Sequence, residues 1–349
     1  MRMCRQVLLL LSLSVVFPCA AAEPAPTPAP PPLQWPAAPA APRLRFLSEI
    51  RGENDAPEKP RGKFAALLRA ALGIGPGSGA GPGGLSSPAG LFARDGTLYV
   101  ADPGRAQVLR YDLGKSKGEW LPKGRGQRLA SPVGVAAAPD GRVFILDSSL
   151  GKVFILDREG KPKGELEGDP QGLGRPAAIA ASDQRLYVAD TRNHRIMVYG
   201  MEGVFLTAFG RRGTGPGEFN YPTYLYFDRR SGQLWVCDSG NFRVQWFDAD
   251  GRHLGTLGEA GDRPGYLARP RGLARDSDGH VYVADAAFDA FQILDPEGKL
   301  LLFVGRAGTA PGQFNLPGGL FSDEQDRIFA ADSYNGRVQT FQYLKEGGL

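Results

Sequence analysis

Reactive side chains are scarce in this chain. Its 349 residues include three cysteines, three histidines, four methionines and four tryptophans. Cys4 and Cys19 fall in an N-terminal stretch that reads as a leader, so the remainder keeps Cys237 alone and cannot close an internal disulfide. An oxidising compartment is permitted but not exploited. No Cys-x-x-Cys-His occurs, which excludes a covalent c-type haem. Zinc sites draw on several His or Cys ligands. His194, His253 and His280 occupy three different places in the pattern described below and are not expected to converge. No metal, no other cofactor and no catalytic residue is therefore expected. A phosphate loop is also missing. The apolar run Val7 to Phe17 is about eleven residues, short of the roughly 20 that a spanning helix needs.

That run lies between Arg2 and Arg5 on one side and Ala20-Ala21-Ala22 on the other. Basic, apolar and small-residue regions in this order predict a secretory signal over 1–22, cleaved after Ala22. Pro18 precedes Cys19, which argues against lipid attachment there. Residues 23–42 are almost wholly Ala and Pro and read as an extended spacer. Residues 43–349 remain as one domain. The expected location is secreted or periplasmic, with no transmembrane span after cleavage. Loss of Arg2 and Arg5 leaves 39 basic against 37 acidic residues, close to neutral.

What the chain does have is a phrase repeated six times. It runs Val100-Ala101-Asp102, Ile145-Leu146-Asp147, Val188-Ala189-Asp190, Val236-Cys237-Asp238, Val283-Ala284-Asp285 and Ala330-Ala331-Asp332. The aspartates are 45, 43, 48, 47 and 47 residues apart. Within each period lie four short segments rich in β-branched and aromatic residues, cut by turns such as Asp95-Gly96, Asp140-Gly141 and Glu202-Gly203. Those acids lack the spacing of a calcium loop and read as turn formers. Each copy begins at a proline: Pro88, Pro132, Pro176, Pro222, Pro270 or Pro317. Gly-rich crossings precede several of them. Such a period predicts an all-β, six-bladed β-propeller of four-stranded antiparallel blades, with the repeats over 85–344.

The string Pro-x-Gly, strand, Asp-Gly, Leu-Tyr-Val-Ala-Asp, x-x-Asn-x-Arg-Val resembles the NHL repeat. Asp190-Thr191-Arg192-Asn193-His194-Arg195 and Asp238-Ser239-Gly240-Asn241-Phe242-Arg243 carry the likeness most clearly. The resemblance, to the secreted bacterial type, implies a binding platform and no single activity. It also implies company such as multihaem cytochromes or other envelope complexes. NHL-type lyases that cleave hydroxyglycine peptides hold an axial zinc with histidines, and this chain departs from that pattern.

The sixth copy stops after its third strand. Residues 43–52, with Arg45-Phe46-Leu47-Ser48-Glu49-Ile50, resemble the fourth strand of copy three and are expected to close the last blade. Between them and copy one, 53–84 should hold a short helix and a Gly-rich loop. Phe64, Leu67, Leu68, Ala71 and Leu72 fall on one face of that helix.

The six aspartates, Asp102, Asp147, Asp190, Asp238, Asp285 and Asp332, read as turn anchors, tied in three copies to Arg195, Arg243 and Arg337 five residues on. Six copies cannot all be one active site. The residue after each repeat proline should ring the axis, and only Arg271 is polar and charged there. The crossings hold Lys123, Arg125, Arg128, Arg175, Arg211, Arg212, Arg263, Arg269, Arg271 and Arg306 against Glu167, Asp169, Glu218, Glu259 and Asp262. A basic face suited to a protein or another anionic ligand follows. Candidate contacts are Arg271, Arg269, Arg175, Tyr221, Tyr224 and Phe288, the last in the odd turn Asp285-Ala286-Ala287-Phe288-Asp289-Ala290. The expected role is a monomeric, non-catalytic interaction module, with no nucleic acid in view of the leader. Two alternatives stay open: an envelope lyase or hydrolase with an axial metal, and a carbohydrate-binding propeller using Tyr221, Tyr224 and Phe288.

Overall fold

The computed structural model describes residues 32–37, 40–41, 43–54, 83–124, 127–167 and 172–345. The stretch read as a leader, most of the spacer and residues 64–72, where a short helix is expected, lie outside them. From Leu33 onward the chain is one unit. Its strands form six antiparallel sheets, five of four strands and one of five. Blade four shows the rule. Its inner strand Pro222–Asp228, second strand Gln233–Asp238, third strand Arg243–Phe247 and outer strand His253–Leu257 pair in that order. Second strands such as Arg185–Asp190 are buried on both faces, because each blade is covered by neighbours on either side. Outer strands alternate or are open, and Pro162–Glu165 is exposed throughout.

The ring closes through the N-terminus. Strand β2 (Leu44–Ile50) pairs antiparallel with the third strand of blade six, Arg337–Tyr343, from Leu44 opposite Tyr343 to Ile50 opposite Val338. One strand more joins than the sequence reading expects. Strand β1 (Gln34–Trp35) adds outside β2, within the stretch read as spacer, and stacks the Trp35 ring edge-on at 5.7 Å from Phe341. An apolar ring with an aromatic to rest on is held there despite its Ala- and Pro-rich flanks.

In blades two to six the inner strand begins at its proline, where the missing N–H costs no ladder bond, and in blade one it begins at Leu91. In blades two to six the register slips directly after that proline. The slip pushes the next residue out of the ladder toward the axis mouth. Below the mouth the inner strands crowd together. A Cβ on Gly272 would meet the Gly318 carbonyl oxygen at 2.4 Å, and one on Gly90 would meet Val133 O at 2.4 Å. Deeper still the axis is filled by side chains. Phe92 and Phe321 lie 5.2 Å apart and Tyr226 packs on Phe321 at 5.5 Å. Two small recesses along this stretch measure about 30 and 10 Å³, room for a water or two at most.

Candidate binding face

Each repeat aspartate joins its turn to the crossing that enters the same blade. Asp102 accepts the backbone N–H of Ser86 (2.6 Å) and Ser87 (2.9 Å), and Asp147 those of Ala130 and Ser131. Asp190, Asp238 and Asp332 take Gly174, Asn220 and Asn315, and Asp285 takes Ala268 and Arg269. All six are buried. In three copies the paired arginine is in place: Arg195 to Asp190 at 3.0 Å, Arg243 to Asp238 at 2.8 Å and Arg337 to Asp332 at 2.7 Å. These arginines also reach crossing carbonyls, Arg243 those of Thr214, Gly215 and Glu218. The aspartate turns and the crossings therefore share one face, and the aspartates are spent on holding it.

The six residues after the prolines, Ala89, Val133, Ala177, Thr223, Arg271 and Gly318, are all half-buried, as expected of a rim around the axis. Arg271 brings the charge. Burial pushes its guanidinium below the ordinary arginine value, and the neighbouring Arg269 adds to this while Tyr334 opposes it. Its cation is thus strained by desolvation and by a like charge, with no ion-paired carboxylate among the described residues to relieve it.

The residue before the proline forms a second ring. Here Arg175 (φ 76°), Tyr221 (φ 55°) and Leu316 (φ 55°) lie in the left-handed region, which costs energy for side chains of this size. Two of the three are held by a side chain from the preceding blade. His194 Nδ1 accepts the Tyr221 N–H at 3.1 Å with the rings 4.6 Å apart, and Asp289 accepts the Leu316 N–H at 2.7 Å. The histidine that sequence alone placed in a turn is thus a cap for the next crossing.

Tyr221 is 49% exposed, and Arg175 and Arg269 are exposed. Phe288 is half-buried and leans on Phe303 at 6.0 Å. Tyr224 does not belong to this face. It is buried, donates its hydroxyl to Leu320 O at 2.6 Å across the axis, and is pushed far above the ordinary tyrosine value by burial. The register slip after Pro222 explains the correction: it exchanges the directions of Thr223 and Tyr224. Two residues of the face escaped the sequence reading. Tyr334 is 67% exposed and Arg192 is exposed. Both stand two residues after a repeat aspartate, a position whose variation across copies is the signal that would have found them.

Of the ten crossing cations, Arg211 pairs with Glu218 at 2.9 Å and Lys123 pairs with Glu119. Arg125 lies outside the described residues. Arg128, Arg175, Arg212, Arg263, Arg269, Arg271 and Arg306 have no ion-pair partner among the described residues. On the acidic side Glu167, Glu259 and Asp262 are left, Asp169 being outside the description. No three His, Cys, Asp or Glu among the described residues are grouped to hold a metal ion. No helix among them is long and apolar enough to cross a membrane.

Comparison with known proteins agrees with this geometry. A family model described as a 6-bladed beta-propeller matches residues 166–258, and one described as the NHL repeat matches 267–293. NHL-repeat-containing protein 4 of Homo sapiens is 32% identical over 91 residues, which cover 26% of this chain and 68% of that protein. Among solved structures, an auxiliary nutrient binding protein from Bacteroides thetaiotaomicron superposes with a TM-score of 0.55 at 15% identity, covering 75% of this chain and 70% of its own. Virginiamycin B lyase from Staphylococcus aureus gives 0.52 at 13% identity, covering 74% and 96%. At such identities the structures share the fold.

Proposed function

The chain belongs to the NHL-repeat family of β-propellers, and from that premise we propose that it is a non-catalytic binding module, secreted or periplasmic, whose crossing face takes an acidic partner protein. The leader-like N-terminus motivates the location. The observation that carries the binding reading is the set Arg175, Arg192, Arg269 and Arg271 around the axis mouth. These four have no ion pair among the described residues and stand with the exposed rings of Tyr221 and Tyr334. Arginine and tyrosine are the side chains that carry protein interfaces, and an unpaired cation cluster steers an anionic surface toward itself. The positive φ at Arg175 and Tyr221 fits a face whose backbone is held for contact. The module works as a monomer in this reading. A lyase or hydrolase reading would need an axial centre, and the aromatic filling of the axis gives it no support.

A fluorescein-labelled polyglutamate peptide provides the test. Anisotropy should show saturable binding that weakens with salt. The double variant Arg269→Glu with Arg271→Glu should bind at least about tenfold more weakly at an unchanged melting temperature. Equal affinity for the variant, or binding indifferent to salt, would reject the face.

A further inference from the structure

Outer strands carry one irregularity, and always at the same rung. In blades two to six the register slips between the eighth and ninth residues after the repeat aspartate. On the third strand these are Ile155 and Leu156, Val198 and Tyr199, Trp246 and Phe247, Ile293 and Leu294, and Thr340 and Phe341. One residue of the outer strand is thereby left without a ladder partner. It is Lys163 in blade two and a leucine in the other four: Leu206, Leu254, Leu301 and Leu47. Blade one pairs without a slip, from Val108 opposite Leu121 to Asp112 opposite Lys117. In blade six the hairpin between third and outer strands is interrupted, the third strand ending at Tyr343 and β2 starting again at Leu44. The leucine keeps its rung there although its strand comes from the other end of the chain.

Packing does not ask for leucine at this rung. The four side chains are between 43% and 52% exposed, and exposed Lys163 shows that the same bulge accepts a charge. Single exposed leucines are ordinary, but four at one rung of four consecutive blades form a row. The third strand leaves the aspartate turn on the crossing face, and the outer strand starts where the third one ends. The row therefore lies near the end of the propeller opposite the crossings, at one height along the axis, as an arc over blades three to six. Cations accompany it. Two residues before the leucine stand Arg252, Lys299 and Arg45 in blades four, five and six. None has an ion pair among the described residues, and the buried Nε of Arg45 finds no hydrogen-bond partner. The acids of these hairpins are mostly spent. Asp250 pairs with Arg185 at 2.6 Å, and Asp248 and Asp295 accept backbone N–H groups. Glu297 alone of them is left without a partner among the described residues.

We propose that this arc is a docking rim for an anionic phospholipid surface, its leucines entering the boundary between headgroups and acyl chains while Arg252, Lys299 and Arg45 meet lipid phosphates. The spacing selects lipid over protein. Packed sheets stand about 10 Å apart, and the outer strands of neighbouring blades splay further, so the leucines are separate points rather than one patch. A protein interface is built around a contiguous, closely packed centre. A fluid bilayer takes each side chain where it falls, and apolar side chains with cations beside them are what its interface binds. The common height lets one flat surface meet the whole row. The crossing face lies at the other end and stays open to its acidic partner.

Flotation with vesicles of phosphatidylcholine mixed with phosphatidylglycerol provides the test. The chain from Glu23 is used, because the folded unit begins at Leu33 and the apolar run of residues 7–17 would bind lipid by itself. It should float with the mixed vesicles and much less with phosphatidylcholine alone. Leu254→Ser with Leu301→Ser, at exposed positions that leave the core intact, should weaken flotation at least about tenfold at an unchanged melting temperature. Arg269→Glu with Arg271→Glu should float like the unaltered chain. Absence of flotation, or equal flotation with phosphatidylcholine alone, would overturn the proposal. Full flotation of the leucine variant would return the row to a protein partner, and loss in the arginine variant would assign the lipid to the crossing face; either result also rejects the rim. The polyglutamate test contains no lipid, so failure here leaves the acidic-partner reading standing on its own.

Discussion

Arg337 shows what the repeat arginine is for. It is fully buried and bonds Asp332 at 2.7 Å, Glu49, and the carbonyls of Ala310 (3.0 Å) and Gln313 (2.8 Å). One guanidinium thus ties a turn, a crossing and the closing strand. Removing a single partner of a buried pair costs about 3–5 kcal/mol, so Arg337→Met should lower unfolding stability by roughly 3 kcal/mol at neutral pH. Burial already raises Asp332 above the ordinary carboxylate value, with Asn335, the Asn315 N–H and Arg337 opposing it. A carboxyl whose folded value is raised loses stability as pH rises through that value. The deficit of Arg337→Met should therefore be small in acid and grow toward neutrality, which urea melts across that range would measure. A pH-independent deficit would place the effect in packing alone. Asp285 shows that backbone donors can suffice: its counterpart residue is Ala290, and Ala268, Arg269 and Ala287 supply the N–H groups. The aspartate–arginine pairs were legible because both members lie five residues apart within one turn. Tyr224 was not, because its direction depends on a one-residue slip after Pro222 that composition does not announce.

The closing strand β2 was legible from its likeness to an outer strand, whereas β1 was not. Two residues in an Ala- and Pro-rich flank carry no periodicity, and the contacts that give Trp35 a place, Phe341 and Gly312, lie about three hundred residues away in sequence. The ends of the segment that follows β2 are also anchored: Gly52 bridges Gly84, and Asn54 bridges Lys117 on the outer strand of blade one. A chain beginning at Glu53 strips blade six to three strands and uncovers Phe341, so it should lose cooperative melting. A chain beginning at Arg43 keeps β2 and loses only β1. An aromatic pair contributes about 1 kcal/mol, worth about 2–4 °C in a protein of this size, and its melting temperature should fall by that order. If the chain from Glu53 melts like the full protein, closure by the N-terminus contributes nothing to stability. If the chain from Arg43 does as well, β1 is passive.

At three junctions of the ring, neighbouring blades are stapled on the crossing face by a hydroxyl that directly follows the repeat aspartate. Thr191 donates to Pro222 O, Ser239 to Pro270 O and Ser333 to Pro88 O, each at 2.7 Å. These bonds run from blade three to four, four to five and six to one. Blade five has Ala286 at this position, 6% exposed, and so offers no hydroxyl to Pro317. The junction between blades five and six thus lacks the hydroxyl, lacks the repeat arginine at Ala290, and faces the interrupted hairpin at Tyr343 and Arg43. It keeps the close packing of Gly272 against Gly318 near the axis. A ring secured at its centre and loosened at its seam should open there first. Ala286→Ser restores a hydroxyl at the position that bears it in blades three, four and six. One intramolecular hydrogen bond contributes about 0.5–1.5 kcal/mol, so the variant should gain roughly 1 kcal/mol and slow amide exchange in the strands on both sides of the seam. A gain in melting temperature without slower exchange at the seam would mean that global unfolding, not local opening, governs that junction. No gain at all would mean that the Pro317 carbonyl is already satisfied by water.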